Sequence, residues 1–266
     1  MVAKRPDFAE VLDLLQEIAP LELAADWDNV GMILQPRPLR GAVGRVLLTI
    51  DLTEAVIREA VAQRADLVVS YHPPLFKPCQ KLRHDDPRQR AVLAAIAAKL
   101  PVWSPHTALD AAPGGMADWL AEGLAARLPV VALRPCGDGE SGRFVELGKP
   151  VALAEMIRRC KRRFGVRSLR LARAIGGTDR IRTFAVAVGA GASLLRSERV
   201  DLQVTGEMSH HDVLAATAGG AHVLLAEHSA SERGYLRPLA ARIRNAFSGG
   251  LTVAVAKADR DPLVAV

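Results

Sequence analysis

Cysteine and aromatic residues are scarce in this chain, and their scarcity excludes several classes of protein. The three cysteines, Cys79, Cys136 and Cys160, are odd in number and show no Cys-x-x-Cys spacing. Neither a disulfide framework nor a cysteine-based zinc site is therefore indicated, and we expect reduced, mostly buried thiols. Aromatic residues make up 4% of the chain, which gives little support to recognition of single-stranded nucleic acid by base stacking.

Long apolar runs are also missing. No apolar stretch approaches the roughly 18 residues that a membrane-spanning helix needs. The first residues lead into an amphipathic helix rather than into the apolar core of a signal peptide. We therefore expect a cytoplasmic protein with no membrane partner. No repeat of fixed period and no low-complexity tract stands out.

Acidic residues are nearly absent from the stretch 158–182, where ten arginines and lysines surround a single acid, Asp179. The whole chain has a formal net charge of +6. Such a basic run can attract phosphate-bearing ligands or nucleic acid. It is equally typical of a solvated helix face and of strand-edge arginines that discourage edge pairing. A nucleic-acid partner is therefore only weakly supported.

The residues that are present predict an α/β protein. Half of the 266 residues are hydrophobic, enough to bury a large core. Apolar residues repeat at helical spacing over 8–18, a buried strand is expected over 45–51, and Thr53 is a natural N-cap for the next helix. Further strands are expected at 67–70 and 102–104, with helices at 88–99 and 116–126. Short strands that alternate with helices indicate a mostly parallel sheet.

A turn-rich stretch at 129–146 interrupts this rhythm. Beyond it, strands are expected at 144–147, 168–171, 183–188, 202–204, 222–225 and 251–256, with helices at 152–163, 208–218 and 231–247. We therefore predict two halves, 1–128 and 129–266. The second half can be discontinuous, with its last helix and strand returning to the first.

Three segments place histidine and carboxylate side chains where a metal site can form. His228 and Glu232 are four residues apart, a spacing that puts two side chains on one helical face. His72 follows the strand at 67–70, and His106 and Asp110 follow the strand at 102–104. The ends of strands are where open α/β sheets build their sites.

Four motifs together resemble one family. They are Trp27-Asp28-Asn29-Val30-Gly31, Ser70-Tyr71-His72-Pro73, His106-Thr107-Ala108-Leu109-Asp110, and Ala226-Glu227-His228-Ser229-Ala230-Ser231-Glu232. In order and spacing they resemble, nearly end to end, the NIF-three-like proteins, which are described as dinuclear-metal-centre proteins and often labelled GTP cyclohydrolase homologues. The resemblance implies two interlocked α/β subdomains with the metal site in the cleft between them. It also implies a homo-oligomer, since relatives are described as ring-shaped hexamers.

The resemblance further implies His72, Asp110, His228 and Glu232 as metal ligands, with one carboxylate bridging two ions. Many bacterial members have two adjacent histidines in the first segment, whereas this chain has Tyr71 in the first of those positions. A phenol has an ordinary pKa near ~10 and coordinates readily only when a metal or a base helps to deprotonate it. Tyr71 and His106 are candidates either for an extra metal ligand or for a side chain that hydrogen-bonds to a metal ligand.

Each of these residues also has a purely structural interpretation. A single histidine such as His72 often has only a structural role. Asp110 can cap the helix that follows Pro113. Glu232 can be a first-turn acid of a helix capped by Ser229 or Ser231. Glu207 and His210 lie in a polar cluster that either binds substrate, transfers protons or caps a surface helix.

Two glycine- and asparagine-containing segments leave similar alternatives. Asn29 can contact substrate or hold its own loop by Asx-type hydrogen bonds. Gly189-Ala190-Gly191 can place backbone amides against a phosphate or form a tight strand-to-helix turn, and it lacks the third glycine of a dinucleotide-binding motif.

Two histidines and two carboxylates without cysteine suit zinc, manganese or iron, one or two ions per chain. Two ions about 3.5–4 Å apart would activate a shared water for hydrolysis. We therefore predict a metal-dependent hydrolase, GTP cyclohydrolase-like by the family label, that acts on a nucleotide or another small polar substrate with Glu232 and His106 as catalytic residues. The alternative is a non-catalytic, oligomeric regulatory or protein-interaction protein whose metal is structural.

Overall fold

The computed structural model describes residues 4–263, which form two compact units. The first consists of residues 4–109 and 236–262, and the second of residues 110–235 together with Leu263. Each unit has its own sheet with helices, as the predicted α/β class requires. Within the described range no helix has both the length and the apolarity to cross a membrane.

The first unit is built on a five-stranded sheet. Its strands are β1 (Gly31–Leu34), β2 (Arg45–Thr49), β3 (Leu67–Ser70), β4 (Val102–Ser104) and β11 (Thr252–Val255), in the order β1-β4-β3-β2-β11. The neighbours β4, β3, β2 and β11 run parallel, and β1 pairs antiparallel with β4 at one edge. The strands β2 and β3 read as almost continuous apolar runs because helices cover the sheet.

The helices of this unit are α1 (Phe8–Ile18), α2 (Glu54–Ala62), α3 (Pro87–Ala97) and α10 (Leu236–Ala246). The predicted helix starts are confirmed where a polar cap precedes an apolar face. Asp7 and Glu10 form a capping box at α1, and the Thr53 side chain accepts a hydrogen bond from the Val56 backbone N–H at α2. The return of α10 and β11 to the first sheet makes this unit discontinuous in sequence.

The second unit has a six-stranded sheet of mixed direction. Its strands are β5 (Val130–Cys136), β6 (Gly142–Ala152), β7 (Arg170–Ala172), β8 (Arg180–Val186), β9 (Leu202–Thr205) and β10 (His222–Leu225), in the order β5-β6-β8-β9-β10-β7. Only β8, β9 and β10 run parallel to one another; the other pairs are antiparallel. The sheet of the first unit is therefore mostly parallel, as expected. In the second unit only the three central strands are parallel.

The helices of the second unit are α5 (Met116–Ala125), α6 (Leu153–Phe164), α7 (Ala192–Leu195), α8 (His210–Ala218) and α9 (Ala230–Arg233). Two expectations need correction. The turn-rich stretch is mostly the β5–β6 hairpin, because β5 pairs antiparallel with β6 from Val130 to Cys136 despite Pro135. The single helix expected at 231–247 is two helices, α9 and α10, interrupted at Gly234 and Tyr235.

One more helix, α4 (His106–Ala111), contains the point where the chain passes from one unit to the other. The sequence pattern places that division at 128/129 instead. The turn-rich composition after residue 129 belongs to a hairpin inside the second sheet, so it does not mark the edge of a compact unit.

A buried arginine holds the end of α4 against the second sheet. Arg143, on β6, is 3% exposed and its Nε donates to Asp118 on α5. Its Nη1 donates to the carbonyl oxygens of Glu140 and Gly142 at 2.6 and 2.8 Å, and its Nη2 donates to that of Ala111 at 3.0 Å. The guanidinium therefore holds the last residue of α4, next to Asp110, against β6.

Replacing this arginine should destabilise the protein strongly. Arg143→Met leaves the partly buried Asp118 carboxylate and three carbonyl groups without the guanidinium donor, a change that typically costs about 3–5 kcal/mol. Urea unfolding followed by circular dichroism measures the loss. Arg182→Met, on the neighbouring β8, removes an exposed ion pair with Glu146 and should cost less than about 1 kcal/mol. Equal losses in the two variants would show that Arg143 does not hold this segment.

Candidate metal centre

In the first unit, the ends of β2 and β3 bring Asp51 and His72 together. Because the two strands are parallel neighbours, the residues that follow them meet at one edge of the sheet, where the backbone N–H of His72 donates to Ile50 O at 3.0 Å. The His72 ring places Nδ1 2.9 Å from Asp51 Oδ1. This pairing fixes the orientation of the imidazole, so a metal ion would be bound through Nε2.

His106, the first residue of α4, has a carboxylate partner of its own. Its Nδ1 lies 2.7 Å from Asp28 Oδ1, and the other Asp28 oxygen accepts hydrogen bonds from Thr107. Burial opposes ionisation of Asp28, but the hydrogen bonds from His106 and Thr107 outweigh it and lower the pKa of that carboxyl. His106 also has a positive φ of 32°, a strained conformation often found at functional sites.

Tyr71 lies buried beside these two histidines, and the three rings contact one another. It is 3% exposed, and its ring centroid is 4.9 Å from that of His72 and 5.4 Å from that of His106. The His72 and His106 rings are themselves 5.4 Å apart. Tyr71 therefore packs directly against both imidazoles.

In the second unit, the ends of β9 and β10 repeat this arrangement. Glu207 follows β9, His228 follows β10, and Glu207 Oε1 lies 2.9 Å from His228 Nδ1. The other ring nitrogen, Nε2, lies 3.3 Å from Glu232 Oε1. His228 precedes α9, which begins at Ala230, so a turn brings it to Glu232 rather than the expected shared helical face. The turn is closed by the Ser231 N–H, which donates to His228 O at 3.1 Å, and Glu227, just before it, has a left-handed backbone with φ 73°.

The correspondence between the units extends beyond the two pairs. Asp51 and His72 are separated by 21 residues, and so are Glu207 and His228. Two residues after each carboxylate comes a hydroxyl N-cap, Thr53 or Ser209, which accepts a backbone hydrogen bond at 3.2 Å and begins a helix of nine residues. Asp51 was not among the predicted residues, and this repeated spacing is the sequence signal that identifies it.

Gly189 packs against His228 and Glu232. It follows β8, has φ 58°, and a Cβ there would lie 2.8 Å from Glu232 Oε1 and 3.2 Å from His228 Nε2. Its N–H donates to Ser231 Oγ at 2.8 Å, and its carbonyl accepts from the Glu207 N–H at 2.9 Å. The Gly189 segment is thus a tight turn whose close approach only glycine permits.

The two carboxylates proposed as ligands are buried. Glu232 is 1% exposed and Asp110 is 6% exposed. Asp110 lies inside α4 and does not cap the helix after Pro113, whose N-cap is Gly115. Ser229 precedes α9 but makes no side-chain cap. Buried carboxylates in proteins are paired with donors or cations, or they bind metals.

The remaining candidates have mainly structural contacts. Asn29 donates its side-chain amide to Leu75 O at 2.5 Å, so it ties two loops together. His210 is exposed at the start of α8, with its ring beside that of His211. In the basic stretch, Arg158 on α6 pairs with Glu155, and Arg173 pairs with Asp179. Of the cysteines, Cys136 and Cys160 are buried and Cys79 is exposed.

This two-sheet α/β architecture defines the class of protein, and comparison with known proteins identifies its family. The family model Duf34/NIF3 (NGG1p interacting factor 3) matches residues 6–262. The chain belongs to this family. It is 37% identical to NIF3-like protein 1 of Drosophila melanogaster, with 97% of this chain and 89% of that protein covered. It is 36% identical to the Protein NIF3 homolog of Schizosaccharomyces pombe, with 94% and 95% covered.

Solved structures share the fold at lower sequence identity. The Bacillus cereus protein related to NIF3 superposes with a TM-score of 0.81 at 19% identity, covering 99% of this chain and 100% of that one. Reduced HcgD from Methanocaldococcus jannaschii gives a TM-score of 0.83 at 20% identity, covering 96% and 99%. The predicted NIF-three-like fold is therefore confirmed.

The close approach of Gly189 to Glu232 predicts a sensitive position. Gly189→Ala should destabilise the protein by more than the roughly 1–2 kcal/mol of a left-handed non-glycine residue, because the added methyl group also displaces the buried Glu232 carboxylate. Gly176→Ala is the matched control, since Gly176 has φ 69° and a Cβ there would have no neighbour within 4 Å. Denaturant unfolding compares the two variants, and equal losses of stability would contradict the close approach.

Proposed function

We propose that this protein binds divalent metal ions through His72, Asp110, His228 and Glu232 and uses them to hydrolyse a small polar substrate. The observation that carries the proposal is the repeated histidine–carboxylate pair: His72 with Asp51 and His228 with Glu207, each at 2.9 Å. Metal-binding histidines in proteins almost always donate their second ring N–H to a carboxylate, a backbone carbonyl or water.

The types of donor support this assignment. His228 and Glu232, both in the second unit, place an imidazole nitrogen and a carboxylate oxygen 3.3 Å apart, and we propose that His72 joins them as a ligand. With Asp110 the proposed set has two imidazoles and two carboxylates and no thiolate, which suits zinc, manganese or iron. The burial of both carboxylates supports it further, because ionised carboxylates are buried at low cost only beside a compensating charge or donors. We propose that these residues would hold two ions, which would supply Lewis-acid chemistry for hydrolysis.

Divalent ions of this kind supply Lewis-acid chemistry, since they lower the pKa of water and stabilise negative charge on a carbonyl or phosphoryl oxygen. The chain itself supplies orientation and proton transfer. Asp51 and Glu207 fix the tautomers of His72 and His228, and Asp28 does the same for His106. We assign His106 as the proton-transferring residue and Glu232 as a ligand that also contacts the reacting water.

The proposed substrate is a nucleotide or another small polar molecule, with a GTP cyclohydrolase-like reaction as the form that the family label implies. We also propose that the protein is a cytoplasmic homo-oligomer, a hexamer by resemblance. Light scattering would measure the mass of the assembly.

A second candidate function is that of a regulatory or protein-interaction protein with a structural metal. The observation that favours it is a relative named NGG1-interacting factor 3 in Saccharomyces cerevisiae, 35% identical with 89% of each chain covered. Exchangeable water at the bound metal would favour catalysis, and a saturated coordination sphere would favour a structural metal.

Metal content tests the ligand set directly. Untagged wild-type protein should carry about two ions per chain by elemental mass spectrometry, because the proposed centre is dinuclear. Glu232→Gln should lose metal and lower hydrolysis at least about 100-fold, since the amide is a poor ligand of the same shape. Glu22→Gln, at an exposed surface position, is the control.

Wild-type protein that binds no metal after reconstitution, or a Glu232→Gln variant with full metal content, would contradict the proposed set. One ion per chain in wild type and two in Tyr71→His would instead show that Tyr71 has removed the second ion.

The carboxylates that pair with the histidines should affect metal affinity nearly as much as the ligands themselves do. Asp51→Asn and Glu207→Gln should each weaken metal affinity about 10- to 100-fold with little change in melting temperature, because the imidazoles lose their fixed tautomer. Competition with a chromophoric chelator measures the affinity. Asp85→Asn removes a carboxylate from an exposed pair with Arg83 and should leave the affinity unchanged. Unchanged affinity in both test variants would mean that the two pairs serve the fold alone.

A further inference from the structure

A cavity of about 470 Å³ lies in the first unit beside the segment that holds His106. Its walls include Trp27, Asn29, Phe76, Lys77, Pro78 and Cys79. The volume is within the range of pockets that take small organic ligands, about 300–1,000 Å³. None of its walls is a proposed metal ligand, so it is a feature that the metal centre alone does not explain.

Two of these walls are aromatic rings that remain exposed. Trp27 is 64% exposed and Phe76 is 42% exposed. Their ring centroids are 5.8 Å apart in an edge-to-face arrangement. Large apolar side chains left in water forgo the free energy of burial. Adjacent exposed apolar groups in a concave surface mark a binding site more often than scattered ones do.

The rings stand next to a group proposed to transfer protons. The His106 ring centroid is 6.2 Å from that of Trp27 and 6.0 Å from that of Phe76. A molecule that covers the two rings therefore comes within a few ångströms of His106.

The loops that hold the two rings are tied together. Asn29 Nδ2 donates to Leu75 O at 2.5 Å, which links the loop of Trp27 to that of Phe76. Asp28, between Trp27 and Asn29, is bonded to His106 and Thr107. The rings are thus presented by fixed backbone, which reduces the entropy that a ligand must overcome.

The charge of the cavity favours an anionic ligand. Lys77 supplies a cation among the lining residues, while the carboxylate of Asp28 is engaged by His106 and Thr107. A flat ring can stack on Trp27 or Phe76 while an attached anionic group pairs with Lys77.

We propose that this cavity is a subsite for a planar aromatic ring that carries an anionic group. The further assignment of that ring to the substrate of the neighbouring centre rests on the proposed function. Phe76 and Trp27 provide the stacking surfaces, Lys77 binds the anion, and the ring is held beside His106.

Ligand binding to metal-free, chelator-treated protein tests the subsite separately from catalysis. The probes are AMP and GMP, with ribose 5-phosphate and inorganic phosphate as anions that lack the ring. Of the three tryptophans, Trp103 and Trp119 are buried, so fluorescence quenching by a stacked ring reports on Trp27. Calorimetry gives the affinities.

Cys79 provides a second readout, because it lines the cavity and is exposed. Burial raises the pKa of the Cys136 and Cys160 thiols to about 12, so a thiol reagent should modify Cys79 first. A bound ring should protect Cys79 from the reagent.

We expect a ring-bearing monophosphate to quench the fluorescence, to protect Cys79, and to bind at least about tenfold more tightly than ribose 5-phosphate. By calorimetry, Trp27→Ala and Phe76→Ala should each weaken its binding about tenfold, and Trp27→Phe should restore most of it. Ile175→Ala, at a 72% exposed position in the second unit, is the control. Lys77→Gln should weaken the binding of AMP more than the binding of adenosine, which lacks the phosphate. Lys149→Gln, the control, should change neither affinity.

The subsite is overturned if no ring-bearing probe binds, if ribose 5-phosphate binds equally well, or if Trp27→Ala has no effect on affinity. Metal binding and hydrolysis without ring binding would overturn the subsite and leave the proposed function intact. Ring binding in a protein that takes up no metal would support the subsite and contradict the hydrolase.

Discussion

Parallel neighbouring strands impose the constraint on which the candidate centre depends. The residues that follow two such strands meet at the same edge of the sheet, so a carboxylate after one strand can hold an imidazole after the next. In the first unit this edge pairs Asp51 with His72, and in the second it pairs Glu207 with His228. Both pairs have the same separation in sequence, because each is connected by a nine-residue helix that begins at a hydroxyl cap.

The rest of the local structure follows from bringing polar groups to these edges. Glu227 and Gly189 have left-handed backbones beside this edge, and Gly189 lies against both His228 and Glu232. His106 also has a positive φ, and its ring is hydrogen-bonded to Asp28. Such conformations persist only where surrounding contacts determine them, and here those contacts are hydrogen bonds to buried or half-buried carboxylates and hydroxyls.

The fold could be predicted from sequence where local chemistry decides it. The capped helices α1 and α2 and the apolar strands β3 and β10 were identified because period and capping are encoded within a few residues. The short edge strand β1 was not identified, since it exists only through antiparallel pairing with β4. The break between α9 and α10 was also missed, because apolar residues continue at helical spacing across Gly234 and Tyr235.

The family, the α/β class and the four candidate ligands could be inferred from sequence alone, because motif order and residue type are properties of the chain. Only the tertiary structure decided which carboxylate supports which histidine, that Gly189 lies against Glu232, and that Trp27 and Phe76 stand together beside His106. These contacts join residues 21 to 79 positions apart in the sequence. Strand order and direction bring them together, and those depend on how the whole sheet is assembled rather than on local sequence.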